Sequence, residues 1–206
     1  MKVLHIATYD GGGAGMGMIN QHLALLEMGI SSKILVAYKN SSLDSVFEYK
    51  RSFFSRFRRF LLKFGIHFDT IDSINIDLNM RKKQYNVLFS SPITHFDISN
   101  HPLVKEADVI NLHWVSNFVD IPSFFSNVDK PIVWTMRDEN PGLGGFHYLS
   151  NKKKYYDVYK SYEDCFLEIK RESISNCNNL SIVSLSNIML EFCKSVDFLK
   201  ELPNNI

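Results

Sequence analysis

The sequence predicts an α/β fold: a single doubly wound, mainly parallel sheet with helices on both faces. Three observations predict it. Short runs rich in Val, Ile and Leu recur along the chain, stretches with helical apolar spacing alternate with them, and the first run leads into three consecutive glycines. Strand, glycine loop and helix in that order open sheets of this kind. Strands alternating with helices argue parallel pairing through right-handed crossovers.

The first strand is read at residues 2–7, KVLHIA, and the helix behind the glycines at residues 17–28. A second strand is read at 32–37 and a helical pattern at 43–64. Residues 65–100 mix polar and aromatic residues without a clean period and hold at most one extra strand around 87–89. Pro102 opens a short helix to 107, followed by strands at 108–113 and 131–136. A helix at 152–176, a strand at 180–184 and a helix at 186–195 complete the pattern. These short strands are near-continuously apolar, as strands covered on both faces are. The tail, 199–206, reads as an extended or turn segment.

A chain of 206 residues suits one domain, taken as 1–206, with an ordinary globular share of apolar and charged residues. A net charge of +1 leaves no global footprint for nucleic acid. Cys165, Cys177 and Cys193 have no CxxC spacing and no signal-peptide pattern precedes them, so they read as reduced thiols in a cytosolic protein. No apolar stretch approaches the ~20 residues that cross a bilayer.

Gly11, Gly12 and Gly13 are the first candidate ligand contact. A loop without side chains exposes backbone N–H groups, and the helix N-terminus behind it favours a phosphate. The dinucleotide fingerprint fails, because Met16 stands where its third glycine belongs and no acid ends the second strand. The Walker A loop fails too, since Met18 follows Gly17. A tight turn for close helix–sheet packing is the alternative use of these glycines.

Phe53, Phe54, Phe57, Phe60, Leu61 and Phe64 share one helical face, with Arg56, Arg58, Arg59 and other cations between them. Such a helix can lie in an anionic membrane interface, with Arg56, Arg58, Arg59, Phe57 and Phe60 as contacts. It can equally pack its aromatics on the sheet and leave its cations in solvent.

Two strand ends carry the remaining candidates. DVINLHW places His113 and Trp114 at the carboxyl end of one strand, and PIVWTMRD places Thr135, Arg137 and Asp138 at the end of the next. Open α/β sheets bind ligands at such ends. Gly142, Gly144, Gly145 and His147 follow. Arg137, a permanent cation beside a glycine-rich loop, suits a phosphate or carboxylate, or a salt bridge to a neighbouring acid. His101, His113 and His147 match no zinc spacing, and no metal site is expected.

On these residues, KVLHIATYDGGGAG, NLHWV and KPIVWTMRDENPGLGGFHY, the chain resembles the amino-terminal half of bacterial family 4 glycosyltransferases of the capsule and exopolysaccharide type. The resemblance implies one Rossmann-like half of a GT-B fold, ending at the interdomain linker near 199–206. It implies sugar transfer with retention from a nucleotide-sugar to a lipid-linked saccharide, without metal or other cofactor. It implies catalytic roles for Arg137, Asp138 and His113. Gly11, Gly12, Gly13, Trp114, Thr135, Gly144, Gly145 and His147 are the implied substrate-binding set. Relatives commonly carry His where Arg137 stands, and often a cysteine where Phe146 stands. The partner implied is a carboxyl-terminal donor domain, on the same or a separate chain, and the place is the cytoplasm, peripherally at the inner membrane face. The alternative is a non-catalytic binding subunit of a split glycosyltransferase. A nucleotide-dependent oxidoreductase ranks third, since the fingerprint fails.

Overall fold

The computed structural model describes residues 1–51, 53–62, 66 and 68–202. Within 53–62, the side chains at 53–56 and 59 lie outside that description. Six strands form one sheet: β1 (Lys2–Tyr9), β2 (Ser31–Tyr38), β3 (Val46–Glu48), β4 (Val109–Leu112), β5 (Ile132–Thr135) and β6 (Leu180–Val183). Their order is β3-β2-β1-β4-β5-β6, and every pairing is parallel. This is the Rossmann-like order, in which winding reverses between β1 and β4. All six residues of β1 between its end residues are buried, which requires cover on both faces.

The helices are α1 (Gly12–Glu27), α2 (Phe53–Leu62), α3 (Thr70–Tyr85), α4 (Pro102–Glu106), α5 (Ile121–Asn127), α6 (Leu149–Ser175), α7 (Asn187–Ser195) and α8 (Asp197–Lys200). The larger core joins Leu4, Ile6, Ile110, Leu112 and Trp134 to Phe146, Tyr159 and Phe166. A smaller one gathers Ala7, Met18, Ile19, Ile34, Val36 and Val46. Met18 and Ile19 are what α1 contributes to it.

Several expectations are corrected. The sheet has six strands, not five: the helical pattern read at 43–64 divides into β3 and α2. Three residues, VFE, are too few for a period-2 signal, and pairing with β2 makes them a strand. The extra strand around 87–89 reduces to one antiparallel bridge between Phe89 and Phe146. Residues 70–85 are helix α3, opened by Asp69, whose side chain accepts the Asp72 amide, and closed by Asn86 in the left-handed region. Helix α5 carries an Asp120 cap and Pro122. The tail begins with α8, whose Phe198 and Leu199 are buried; positions 203–206 of the expected linker lie outside the described residues.

Candidate functional site

The carboxyl ends of β1 and β4 flank the point where winding reverses. Helix α1 starts there, five residues earlier than its apolar spacing indicates, so Gly12 and Gly13 form its first turn. Gly12 has φ +67°, which suits glycine, and a side chain at Gly12 or Gly13 would meet nothing within 4 Å. No side chain caps this end, and its first turn holds no acid. Among the described residues no side chain accepts its first amides, and a helix start left so favours an anion. Asp10 is turned away: its carboxylate accepts the amides of Asn40 at 2.7 Å and Ser41 at 2.9 Å, tying the loop after β1 to the loop after β2. Burial pushes the Asp10 carboxyl up, but bonds from Ser41 and Asn40 outweigh it and hold it below its usual range. At Gly15 a Cβ would lie 2.4 Å from the Asp10 carbonyl carbon, so α1 can rest on that loop only without a side chain there.

Arg137, just past β5, reaches back across β4 to α1. Its Nη2 donates to His113 Nδ1 at 3.0 Å and to Gln21 Oε1 at 3.4 Å. Arginine only donates, so His113 carries its proton on Nε2. That N–H meets His5 Nδ1 at 2.9 Å, which leaves the His5 Nε2 hydrogen buried without an acceptor. His22, edge-on to His5, is held by Ser32 and Ser45 at 2.7 and 2.8 Å. Burial, then the neighbouring His22 and Arg137, lowers His5 to about 4. Burial, then His5 and Arg137, lowers His113 to about 2. Burial also lowers the Arg137 pKa. His113 thus sits neutral beneath Arg137, 2 % exposed, and the cation is the member of this seam that reaches solvent.

Asp138 faces the other way. Its Oδ2 accepts the Trp114 indole N–H at 2.7 Å and the His147 Nδ1–H at 2.5 Å, and its Oδ1 accepts the Asn140 amide at 3.0 Å. Ser90 Oγ lies 2.5 Å from His147 Nε2. Ser90, His147 and Asp138 stand in the order of a nucleophile, base and orienting acid. Ser90 is 3 % exposed and His147 wholly buried, so no substrate reaches them; the trio tethers Trp114 instead.

The glycine-rich loop after β5 serves the fold, which corrects its assignment to ligand. Glu163 of α6, fully buried, accepts the amides of Gly144 at 2.9 Å, Gly145 at 2.7 Å and Phe146 at 3.3 Å. Lys152 pairs with the same carboxylate at 2.9 Å. Lys170, two helical turns on, donates to the carbonyls of Asn140 at 2.7 Å and Leu143 at 2.8 Å and to Asn140 Oδ1 at 3.1 Å. Burial lowers Lys170 to about 7 against the pull of Glu163 and Asp138. A Cβ at Gly144 would lie 2.1 Å from the Glu163 carbonyl oxygen, and one at Gly145 2.3 Å from the Phe89 ring. Thr135 is likewise internal, 1 % exposed, its hydroxyl donating to Asn111 at 3.0 Å.

On the far side of Trp114 opens a cavity of about 480 Å³. Tyr9, Tyr38 and Trp114, from the ends of β1, β2 and β4, form one wall. Asn75, Asn79 and Lys82 of α3 form another, and Leu62 of α2 contributes. Sequence reasoning missed Tyr9, Tyr38 and the α3 side chains. Tyr9 and Tyr38 were legible as the residues that end the first two strands.

Arg58 does not project to a membrane. Its guanidinium pairs with Asp69 at 2.5 Å and Asp72 at 2.7 Å, joining α2 to α3. Burial opposes these pairs, yet they raise the Arg58 pKa and lower those of both aspartates. His95 completes the only group of three metal-capable side chains found among the described residues, and Arg58 already meets its two carboxylates. Phe57 and Phe60 are half-exposed. The side chains of Arg56 and Arg59 lie outside the described residues. No helix among the described residues is long and apolar enough to cross a membrane.

Fold and site together define a Rossmann-like α/β domain with an open anion-favouring helix start and an adjacent aromatic cavity. In comparisons with known proteins, no family model and no curated protein matches the chain.

Proposed function

We propose that this chain is the acceptor-side half of a retaining glycosyltransferase. It works with a donor-binding domain, on the same or another polypeptide, that holds a nucleotide-sugar. The observation that carries the reading is a pairing at one sheet edge. The bare α1 start can meet a diphosphate, Arg137 reaches the same helix at Gly17, and a cavity suited to a small polar ligand opens at the same end of the sheet. Arg137 would stabilise charge on the departing diphosphate, and the cavity would hold the acceptor hydroxyl in place. His113, kept neutral below Arg137, orients the guanidinium rather than exchanging protons with substrate. Asp138 and His147 act at one remove, through Trp114. The half-exposed Phe57 and Phe60 fit contact with the cytoplasmic membrane face, where a lipid-linked acceptor resides.

The test is sugar transfer by the protein purified from its source with whatever chains accompany it. Labelled nucleotide-sugars are offered with a lipid extract from the same cells. Label in the lipid fraction, with donor configuration retained and lost in Arg137→Ala, bears the reading out. Absence of transfer from every donor overturns it.

A further inference from the structure

We propose that the chain pairs with a second copy of itself through the α1 side of the sheet, helix α1 of each copy filling the uncovered trough over β4, β5 and β6 of the other. The inference stands apart from the transferase reading. It rests on two uncovered surfaces of this chain.

The first is a sheet face. Side chains alternate along a strand, and one set in β4, β5 and β6 is fully packed: Ile110, Leu112, Ile132, Trp134, Leu180 and Ile182 are at most 2 % exposed. On the other face Val109, Asn111, Val133, Ser181 and Val183 are only half-buried. Val133 is flanked in register by Asn111 and Ser181, so these positions form one continuous surface. The cause is the winding. Right-handed crossovers put α1 on one face and α5 and α6 on the other. The buried apolar residues of α3 to α8 all join the larger core. The smaller core draws on β1, α1, β2 and β3. Among the described residues, α1 is therefore the only helix that contributes buried side chains to its face, and it lies over β1 and β2. Parallel sheets are covered on both faces. Three valines with no charge among them are what a covered face carries.

The second is the outer surface of α1. Of its sixteen residues only the last, Glu27, is charged. Met16, Leu23 and Leu26 are 53, 41 and 43 % exposed. A helix without a charged face is one that other elements bury. Gly17 and Gln21 mark the flank turned toward β4 and β5, since both meet Arg137. Ala24 and Met28 continue that flank at helical spacing, and both are exposed.

The two surfaces fit each other. Three strands about 4.8 Å apart make a trough about 14 Å wide. A helix with its side chains is about 10 Å across, so α1 stands as a ridge beside that trough. A two-fold axis along the strands lowers each ridge into the other copy's trough, and the two α1 helices then share one layer between two sheets. Gly17 and Ala24 let the helices approach closely. A foreign helix would fill the trough but leave the outer surface of α1 uncovered, whereas a second copy covers both. The axis brings the two Arg137 to the same end of the layer, each held on its own His113 and Gln21. Salt screens such a pair. A helix of this length spans about 24 Å, and the face it shares with the trough buries on the order of 1,000 Å² over both copies, the low end for specific interfaces. Association in the micromolar range is expected.

Sedimentation velocity of the intact chain at physiological salt, followed across the micromolar range, tests the pairing. The mass should rise from 23.8 kDa toward twice that value. Ala24→Arg changes an exposed position, and Ser181→Arg a half-buried one that is already polar. Each should fold, which circular dichroism and thermal unfolding check. Each should weaken the pairing by about 100-fold or more, because two-fold symmetry counts every substitution twice. Glu172→Arg, exposed on α6 across the sheet, should leave it unchanged. The mass of a single chain at every concentration overturns the proposal, whatever the variants do. So does a dimer that withstands either Ala24→Arg or Ser181→Arg, or one that Glu172→Arg abolishes.

Discussion

Gly17 and Arg137 are in contact across the sheet edge: a Cβ on Gly17 would come within 2.5 Å of the Arg137 Nη1. A glycine inside a helix forfeits about 1 kcal/mol relative to alanine. Here it makes room for a guanidinium that also donates to His113 and Gln21. The bareness of α1 at this point therefore sets where the cation stands.

Gly17→Ala should fold with stability within about 1 kcal/mol of the parent, because the atom displaced is the far end of a flexible side chain. What it should lose is the position of Arg137, and with it affinity for a diphosphate. Thermal unfolding and UDP titration check both halves. Unaltered UDP affinity would detach Arg137 from anion binding.

Gly144→Ala should behave in the opposite way. The obstacle is the carbonyl oxygen of Glu163 on α6, which cannot move without the helix. Destabilisation of about 3 kcal/mol or more is expected. Denaturant unfolding measures it, and a near-neutral result would mean that the loop is not clamped by α6.

The histidine seam should make stability fall in acid. His5 and His113 take protons in the unfolded chain near 6.5, but in the folded chain only near 4 and near 2. Between 6.5 and about 4 the unfolded state binds more protons. Unfolding free energy should therefore drop with falling pH by about 1.4 kcal/mol per pH unit for each histidine, with no contribution above that window. Unfolding curves at neutral pH and at two acid points test this; His5→Leu should flatten the slope.

Helix α2 separates two roles that its composition blurs. Arg58→Ser leaves Asp72, 1 % exposed, without its cation and should cost about 2 kcal/mol of stability. Replacing Phe57 and Phe60 together by Ser removes exposed apolar surface and should spare the fold while weakening binding to anionic vesicles. Flotation with such vesicles reads the second effect. Equal flotation of parent and double variant would remove the helix as a membrane contact.

Much of the frame was readable along the chain. Strands β1, β2, β4, β5 and β6 announce themselves as short apolar runs, because a strand buried on both faces needs no polar alternation. Helix α3 was hidden although its caps, Asp69 and Asn86, stand in plain sight. Its buried positions include Asp72, and Arg81 leans on the Val158 carbonyl of α6, so polar side chains interrupt the apolar stripe. The site was half legible: the motifs marked Arg137, Trp114 and the first glycines but could not say which way any of them faces.

The sequence by itself determined the class of fold and the edge of the sheet where chemistry gathers, because hydrophobic period and glycine placement are local properties of a chain. Only the tertiary structure decided what each glycine and polar residue is for. Gly12 and Gly13 face open space, whereas Gly144 and Gly145 spend their amides on Glu163, eighteen or nineteen residues away on another element. Hydrogen-bonding capacity belongs to a residue, but whether it is left for a ligand depends on which distant partner packing brings within 3 Å.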